Sequence, residues 1–273
     1  RLPSSGLEPG LVNARRPPSA TTAMHPPYRG LLSPAMHPYN TPMNMTSRDR
    51  DPDGLPLGVI FDMDGVLLDS EPFICKAACM MFAEKGLRVK PEDFLPFVGA
   101  GENRYVGGVA EKYGFPIDIA AAKRRTYEIY LEIIKGQLRP LPGVHEFLAA
   151  CRRAGKKTAL ATSADMVKAE GNLREIRLPF STFDAVVTGL DVVHRKPHPE
   201  IFLTAAEKLA LDPRHCLVVE DAVNGVAAAR AAGSRCLALT TSFTKEQLAG
   251  ADWFAPTLAE APPAVLDWNG TTS

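Results

Sequence analysis

The chain has 273 residues, 45% hydrophobic and 23% charged, which is enough for one α/β domain with a sizeable insertion. Its formal net charge is zero, so charge favours neither nucleic acid nor an anionic membrane as a partner. No apolar run approaches the roughly 20 residues that cross a bilayer, which predicts a soluble protein. The five scattered cysteines suit a reducing compartment better than a disulfide scaffold.

The first 55 residues differ from the rest because they are rich in proline and have no apolar periodicity. This composition predicts a disordered N-terminal extension over residues 1–55. Met43 or Met45 is a credible start of translation. Residues 1–48 also suit a transit peptide, because they contain Arg and Ser/Thr but a single acid, Glu8. We therefore expect a cytoplasmic protein, with organelle targeting as the alternative.

The apolar run Val59 to Phe61 predicts a short strand that is buried on both faces, as in parallel sheets. Two acids, Asp62 and Asp64, follow the strand, and Gly65 allows the backbone to turn away. The carboxyl ends of strands hold the functional crevice in open α/β sheets. We expect the chemistry of the protein at this point.

A helical block of roughly 65 residues follows, with helices predicted from Pro72 to Glu84, from Pro91, from Glu102 to Tyr113 and from Ile119 to Ile134. The block is too long for an ordinary crossover between strands. We interpret residues 72–139 as an inserted helical cap domain. Residues 56–71 and 140–273 then form the core domain.

Strands and helices alternate in the second half of the chain. The predicted strands are 157–161, 183–188, 216–219 and 235–239, and the predicted helices are 144–153, 166–176, 200–209 and 223–232. This alternation predicts a doubly wound, Rossmann-like parallel sheet with helices on both faces.

Four polar clusters stand at strand ends or at a helix start: Asp62 with Asp64, Thr162 with Ser163, Lys196, and Glu220 with Asp221. The carboxyl ends of parallel strands share one edge of the sheet, so we expect the clusters to converge. Carboxylates, a hydroxyl group and a lysine suit a site for phosphate and Mg²⁺.

The string from Phe61 to Glu71, Phe-Asp-x-Asp-Gly-Val-Leu-x-Asp-Ser-Glu, resembles the first motif of the haloacid dehalogenase-like (HAD) hydrolases. More narrowly, it is similar to the branch of phosphoglycolate phosphatases and β-phosphoglucomutases with a helical cap. The three later clusters match the remaining motifs of the family in order. The resemblance implies a Mg²⁺-dependent phosphatase that hydrolyses a small phosphomonoester through an aspartyl phosphate, and we expect a monomer or weak dimer.

The resemblance also implies a role for each matched residue. Asp62 is the expected nucleophile, Asp64 the general acid and base, and Thr162, Ser163 and Lys196 the phosphate ligands. The expected metal ligands are Asp62, Asp64, Glu220 and Asp221, with Glu220 alternatively an acid outside the ligand set. Glu102, Arg104 and Arg125 of the cap are the expected substrate contacts.

Other functions are weighed against the phosphatase. Asp64 disfavours the metal-free dehalogenase branch, and a phosphomutase is the main enzymatic alternative. The mutase positions for a second phosphate match Ala164 and Asp165, where we expect the anion to repel phosphate. His194 and His198 invite a metal site, but their spacing favours loop and helix-start positions.

Overall fold

The computed structural model describes residues 57–98 and 101–267. Within these ranges six strands form one parallel sheet in the order β3-β2-β1-β4-β5-β6. The strands are β1 (Gly58–Phe61), β2 (Lys157–Ala161), β3 (Ala185–Val187), β4 (Cys216–Glu220), β5 (Arg235–Leu239) and β6 (Trp253–Ala255). The helices are α1 (Glu71–Glu84), α2 (Glu102–Lys112), α3 (Ile119–Ile133), α4 (Val144–Arg153), α5 (Met166–Glu175), α6 (Glu200–Lys208) and α7 (Val223–Ala231). The predicted disorder of residues 1–55 lies outside the described residues.

The sheet is covered on both faces, as predicted for a doubly wound fold. Val59 and Phe61 of β1 belong to one hydrophobic cluster, which includes residues of the five helices α1 to α5. Ile60 points to the other face, into a second cluster that includes residues of α6 and α7. Because strand side chains alternate between faces, an apolar run such as 59–61 fits only a strand buried on both sides.

The helical cap lies between β1 and β2, and it consists of α1, α2, α3 and two short 3-10 turns. These turns, Pro91–Asp93 and Leu95–Phe97, replace the helix predicted from Pro91. A helix cannot continue through Pro96 without losing a backbone hydrogen bond. The cap and the core share one hydrophobic cluster, so the boundaries at residues 72 and 139 stay a prediction.

The edge strand β6 was missed by the sequence analysis, which ended the sheet at β5. It has three residues and pairs with β5 through Leu237–Trp253, Ala238–Phe254 and Leu239–Ala255. A run this short has too few residues to show the alternation of a strand.

All five cysteines are free, and Cys75 and Cys79 pack against the first cluster. In the described part of the chain, no helix combines the length and the apolar character needed to cross a membrane.

Candidate active site

A cavity of about 390 Å³ lies between the carboxyl edge of the sheet and the cap. The residues of the core that were predicted to converge all line it: Asp62, Asp64, Thr162, Ser163, Lys196, Glu220 and Asp221. The cap closes the opposite side with largely apolar side chains and the acids Glu71 and Glu102. The topology brings these groups together because β1, β2 and β4 are parallel neighbours, so their carboxyl ends are adjacent.

Lys196 bridges two carboxylates at the floor of the cavity. Its Nζ lies 2.5 Å from Oδ1 of Asp62 and 2.6 Å from Oε1 of Glu220. Burial alone would lower the pKa of Lys196, but the charges of Asp62 and Glu220 outweigh burial and raise it. The lysine therefore stays protonated and places a fixed positive charge beside Asp62.

Glu220 is buried at the end of β4, and both of its carboxylate oxygens are engaged. Oε1 receives the Lys196 ammonium, and Oε2 accepts hydrogen bonds from the backbone N–H groups of Asp221 and Ala222 at 2.8 and 2.9 Å. A Cβ on Gly225 would lie only 1.9 Å from the Glu220 carboxyl carbon. The absence of a side chain at residue 225 makes room for this carboxylate.

Asp64 is held by two residues that the sequence analysis did not predict. Ser70 Oγ donates to Asp64 Oδ1, and Lys168 Nζ lies 3.0 Å from Asp64 Oδ2. Lys168 is buried, and although burial opposes it, the charges of Asp64 and Glu102 raise its pKa. One signal was available, since Lys168 stands four residues before Asn172 and shares the buried face of α5.

Asp221 follows β4 directly, and its Oδ2 accepts a hydrogen bond from Ser242 Oγ, in the loop after β5. Gly65 passes close beside this carboxylate with a positive φ of 75°. A Cβ on Gly65 would lie 1.9 Å from Asp221 Oδ2, so the turn after β1 leaves no room for a side chain.

The buried carboxylates outnumber the lysine at the floor of the cavity. The pKa of Asp62 is raised to about 7, mainly by burial. The charge of Lys196 opposes this increase, and the charge of Glu220 adds to it. Burial and then the charges of Glu220 and Asp62 raise the pKa of Asp221 to about 8. Without another cation, these acids hold protons near neutral pH, which is the behaviour expected of a cation-binding set of oxygens.

Thr162 and Ser163 continue β2 into the cavity. The Thr162 N–H donates to the Val187 carbonyl at 3.0 Å, and Thr162 Oγ1 accepts from the Ala164 N–H at 3.1 Å. The Ser163 carbonyl accepts from Arg195 Nη1 at 2.9 Å. The Thr162 hydroxyl group therefore also closes a local turn before α5, and it would have this structural role without a ligand.

The structure places one of the three predicted cap contacts in the cavity and two outside it. Glu102 lines the cavity. Arg104 instead pairs with Glu111 at 2.6 Å on the exposed face of α2. Arg125 pairs with Glu84 and Glu128, each at 2.8 Å, also at the surface. In the described residues neither arginine lines the cavity, because each is held by carboxylates of the cap itself.

Asp165 also differs from its predicted position. Its carboxylate pairs with Lys123 of the cap at 2.8 Å and does not line the cavity in the described residues. The repulsion of a second phosphate by Asp165 stays a prediction, and the ion pair with Lys123 weakens the argument for it.

His194 and His198 lie outside the cavity with exposed side chains. Their rings stack at 4.4 Å, and their nitrogens and a Glu200 oxygen lie within 4.8 Å of one another. The Glu200 carboxylate is already occupied, since the N–H groups of Val193 and His194 donate to it at 2.9 Å. This arrangement fits the predicted helix-start role, in which Glu200 begins α6.

Comparison with known proteins agrees with this geometry. A family model for haloacid dehalogenase-like hydrolases matches residues 57–233. The chain is 43% identical over 192 residues to the chloroplastic protein SUPPRESSOR OF QUENCHING 1 of Arabidopsis thaliana, which is 68% of this chain and 18% of that protein. It is 36% identical over 184 residues to the phosphorylated carbohydrates phosphatase of Thermotoga maritima, which is 64% of this chain and 81% of that one.

Among solved structures, CbbY from Rhodobacter sphaeroides in complex with phosphate superimposes with a TM-score of 0.70 at 27% identity, covering 78% of this chain and 100% of that one. A mutant of the same protein was crystallised with xylulose-(1,5)bisphosphate. The region that the family model matches, residues 57–233, contains every polar cluster of the cavity floor. The chain therefore belongs to the haloacid dehalogenase-like hydrolases, and it is a phosphoric monoester hydrolase of that family.

Proposed function

We propose that this protein is a Mg²⁺-dependent phosphatase that hydrolyses a small phosphorylated metabolite, of the sugar phosphate or phosphoglycolate type, through an aspartyl phosphate on Asp62. The observation that carries the proposal is the arrangement at the cavity floor, where Lys196 lies between Asp62 and Glu220 with Asp64 and Asp221 beside them. The relative from Thermotoga maritima is named for the hydrolysis of phosphorylated carbohydrates, which supports the same substrate class.

In this proposal Asp62 attacks phosphorus, and the leaving alcohol takes a proton from Asp64. Water then attacks phosphorus and Asp64 accepts the proton of that water, while the bond from phosphorus to the Asp62 oxygen breaks and releases phosphate and the free Asp62 carboxylate. Ser70 and Lys168 hold the Asp64 carboxylate from two sides, so its position is fixed before substrate binds. Lys196, with the Thr162 hydroxyl and the Ser163 N–H, faces the phosphoryl oxygens and stabilises their charge.

The residues present fit a magnesium ion. Mg²⁺ takes oxygen ligands and usually keeps several waters, and the buried acids here outnumber the neighbouring lysine. Asp62, the main-chain carbonyl of Asp64, and Asp221 are the ligands that we propose. Glu220 was expected either to bind the metal or to lie outside the ligand set. Both of its oxygens are already engaged by Lys196 and the Asp221 backbone, which favours the second role. When bound, Mg²⁺ supplies positive charge to the phosphoryl oxygens.

A β-phosphoglucomutase-type phosphomutase stays the alternative. A mutase holds a bisphosphorylated intermediate and keeps water away from the aspartyl phosphate. The described residues that line the cavity include no cation beyond Lys168 and Lys196. Both of these ammonium groups are already paired with acids of the floor, so the residues in place favour the phosphatase.

The location and assembly of the protein are also proposals. We propose that the enzyme is cytoplasmic, with organelle targeting by residues 1–48 as the alternative. We also propose that it is a monomer or a weak dimer. The 43% identical relative is described as chloroplastic, which supports the alternative. Imaging two fluorescent fusions, one with and one without residues 1–48, separates the two locations.

The test is release of phosphate from p-nitrophenyl phosphate with Mg²⁺, with excess chelator, and with Ca²⁺ in place of Mg²⁺. We expect turnover with Mg²⁺ only, because Ca²⁺ prefers more ligands at longer distances. The variant Asp62→Asn removes the proposed nucleophile, and Asp184→Asn is its matched control. Asp184 precedes β3, at the amino ends of the strands and away from the cavity, and its carboxylate accepts a hydrogen bond from the Thr158 N–H at 2.7 Å. Full activity in chelator would refute the metal-dependent mechanism.

The mutase is tested with β-glucose 1-phosphate, Mg²⁺ and a trace of the bisphosphate. Release of inorganic phosphate faster than formation of glucose 6-phosphate supports the phosphatase. The reverse order of rates would establish the mutase instead.

A further inference from the structure

A buried polar pair joins the cap helix α3 to the core helix α5. Tyr130 of α3 and Asn172 of α5 are both fully buried, and the Tyr130 hydroxyl group donates a hydrogen bond to Asn172 Oδ1. Burial raises the pKa of Tyr130, so this hydroxyl group keeps its proton and remains a donor. Neither side chain is among the described residues that line the cavity, so both lie at a distance from a bound substrate.

The two helices approach each other closely at this pair. Gly171 precedes Asn172, and a Cβ on it would lie 2.4 Å from Cδ2 of Leu131, the residue after Tyr130. Packing alone does not require polar groups here, because phenylalanine and leucine would fill nearly the same volume, and two apolar partners are often at least as stable as a buried hydrogen-bonded pair. The pair is therefore a candidate for a role in the chemistry.

Asn172 contacts the chain between the two proposed catalytic acids. Its Nδ2 donates to Met63 Sδ at 3.7 Å, and Met63 is the residue between Asp62 and Asp64. Met63 is fully buried, and its carbonyl accepts a hydrogen bond from the Leu67 N–H at 2.8 Å, within the turn after β1. The Asn172 amide therefore restrains the residue that links the two acids.

Lys168 brings the same face of α5 against Asp64. It stands one turn before Asn172, and its Nζ lies 3.0 Å from Asp64 Oδ2. One helix face therefore holds both the Asp64 carboxylate and the residue before it. The Tyr130 hydroxyl group fixes this face from the cap.

We propose that Tyr130 and Asn172 are positioning residues for Asp64, the group that gives its proton to the leaving alcohol. They act through Met63 and Lys168, and the inference rests on the proposed phosphatase mechanism, to which it adds two residues. Without the hydroxyl group the Asn172 amide can turn, so the face of α5 holds Asp64 less firmly. A displacement of about 1 Å near reacting groups lowers turnover by about 10²-fold, so we expect about tenfold from this indirect change.

The test compares two substrates that differ in their need for a proton on the leaving group. Phenyl phosphate releases a phenol with a pKa of about 10, whereas the leaving group of p-nitrophenyl phosphate is a much weaker base that departs with little help from an acid. In Tyr130→Phe, kcat/KM with Mg²⁺ should fall by about tenfold for phenyl phosphate and by less than about threefold for p-nitrophenyl phosphate. We choose kcat/KM because it covers the steps up to the departure of the phenol.

A double variant separates positioning from stability. Tyr130→Phe/Asn172→Leu replaces both partners by apolar side chains, so its melting temperature should be at least that of the wild type. If the pair serves packing alone, this variant keeps the wild-type kcat/KM for both substrates. If the pair positions Asp64, the loss for phenyl phosphate persists in a protein of full stability.

Tyr113→Phe is the matched control. Tyr113 belongs to the same cap, and its hydroxyl group donates to Asp93 Oδ2 at 2.6 Å, away from the described lining of the cavity. This variant should keep the wild-type kcat/KM for both substrates. Wild-type kcat/KM with both substrates in Tyr130→Phe, or an equal loss with both, would overturn the inference. No hydrolysis of either substrate by the wild type with Mg²⁺ refutes the phosphatase itself, so the two failures are distinct.

Discussion

The turn after β1 gives the sharpest test of the proposed metal site, through the substitution Gly65→Ala. The φ of Gly65 is 75°, and an added Cβ would lie 1.9 Å from Asp221 Oδ2. The substitution adds one methyl group and removes none of the groups that we assign to the chemistry. A loss of activity therefore reports on the positions of Asp221 and of the adjacent Asp64 carbonyl relative to Asp62.

Two effects of different size are expected. A left-handed backbone costs an L-residue about 1–2 kcal/mol of stability. In addition, the Cβ falls about 1.5 Å short of the ordinary contact distance of 3.4 Å, so Asp221 or the turn must move by an amount of that order. A misplacement of about 1 Å near reacting groups lowers turnover by about 10²-fold. We expect at least this loss in kcat with p-nitrophenyl phosphate.

Gly86→Ala isolates the backbone effect. Gly86 has a φ of 85°, and an added Cβ there meets nothing within 4 Å. Urea denaturation should show a loss of about 1–2 kcal/mol in the free energy of unfolding for Gly86→Ala, with unchanged kcat. Gly65→Ala should lose more stability than Gly86→Ala and also lose turnover. A folded Gly65→Ala protein with wild-type kcat and wild-type Mg²⁺ dependence would refute the close approach of Gly65 to a functional Asp221.

Four further outcomes follow from the buried acids. Asp62→Asn should abolish turnover in the Mg²⁺-dependent assay while the protein stays folded, and wild-type kcat in this variant would exclude Asp62 as nucleophile. Burial raises the pKa of Asp62 from 3.8 to about 7, so the folded metal-free protein loses stability as the pH rises between these values. Asp62→Asn removes this loss. The melting temperature of Asp62→Asn relative to that of the wild type should therefore increase as the pH rises from 4 to 7. Mg²⁺ binds deprotonated carboxylates, and the pKa of Asp221 is raised to about 8. Adding Mg²⁺ should therefore raise the melting temperature of the wild type more at pH 8 than at pH 6. An equal increase at both pH values would contradict this prediction. Asp221→Asn should remove most of the Mg²⁺-induced shift, measured by thermal denaturation with and without the ion.

The sequence alone was sufficient to place the elements that carry the cavity floor. The predicted bounds of α4 and β2 agree with the structure, and the other core helices differ by one residue at their C-terminal ends. This was possible because a strand buried on both faces produces an unbroken apolar run, and the helices between strands keep their own period. The parallel topology then required Asp62, Thr162 and Glu220 to meet, since each follows or ends a strand at the same edge of the sheet.

The tertiary structure decided the groups around that floor. Lys168 and Ser70 contact Asp64, and Ser242 contacts Asp221, from elements whose local sequence does not specify these partners. The same holds for the cap, where Glu102 faces the cavity while Arg104 and Arg125 find carboxylates elsewhere on the cap. Apolar periodicity fixes which face of a helix is buried, but the partner of a long charged side chain depends on the packing of distant elements, which short-range sequence does not encode.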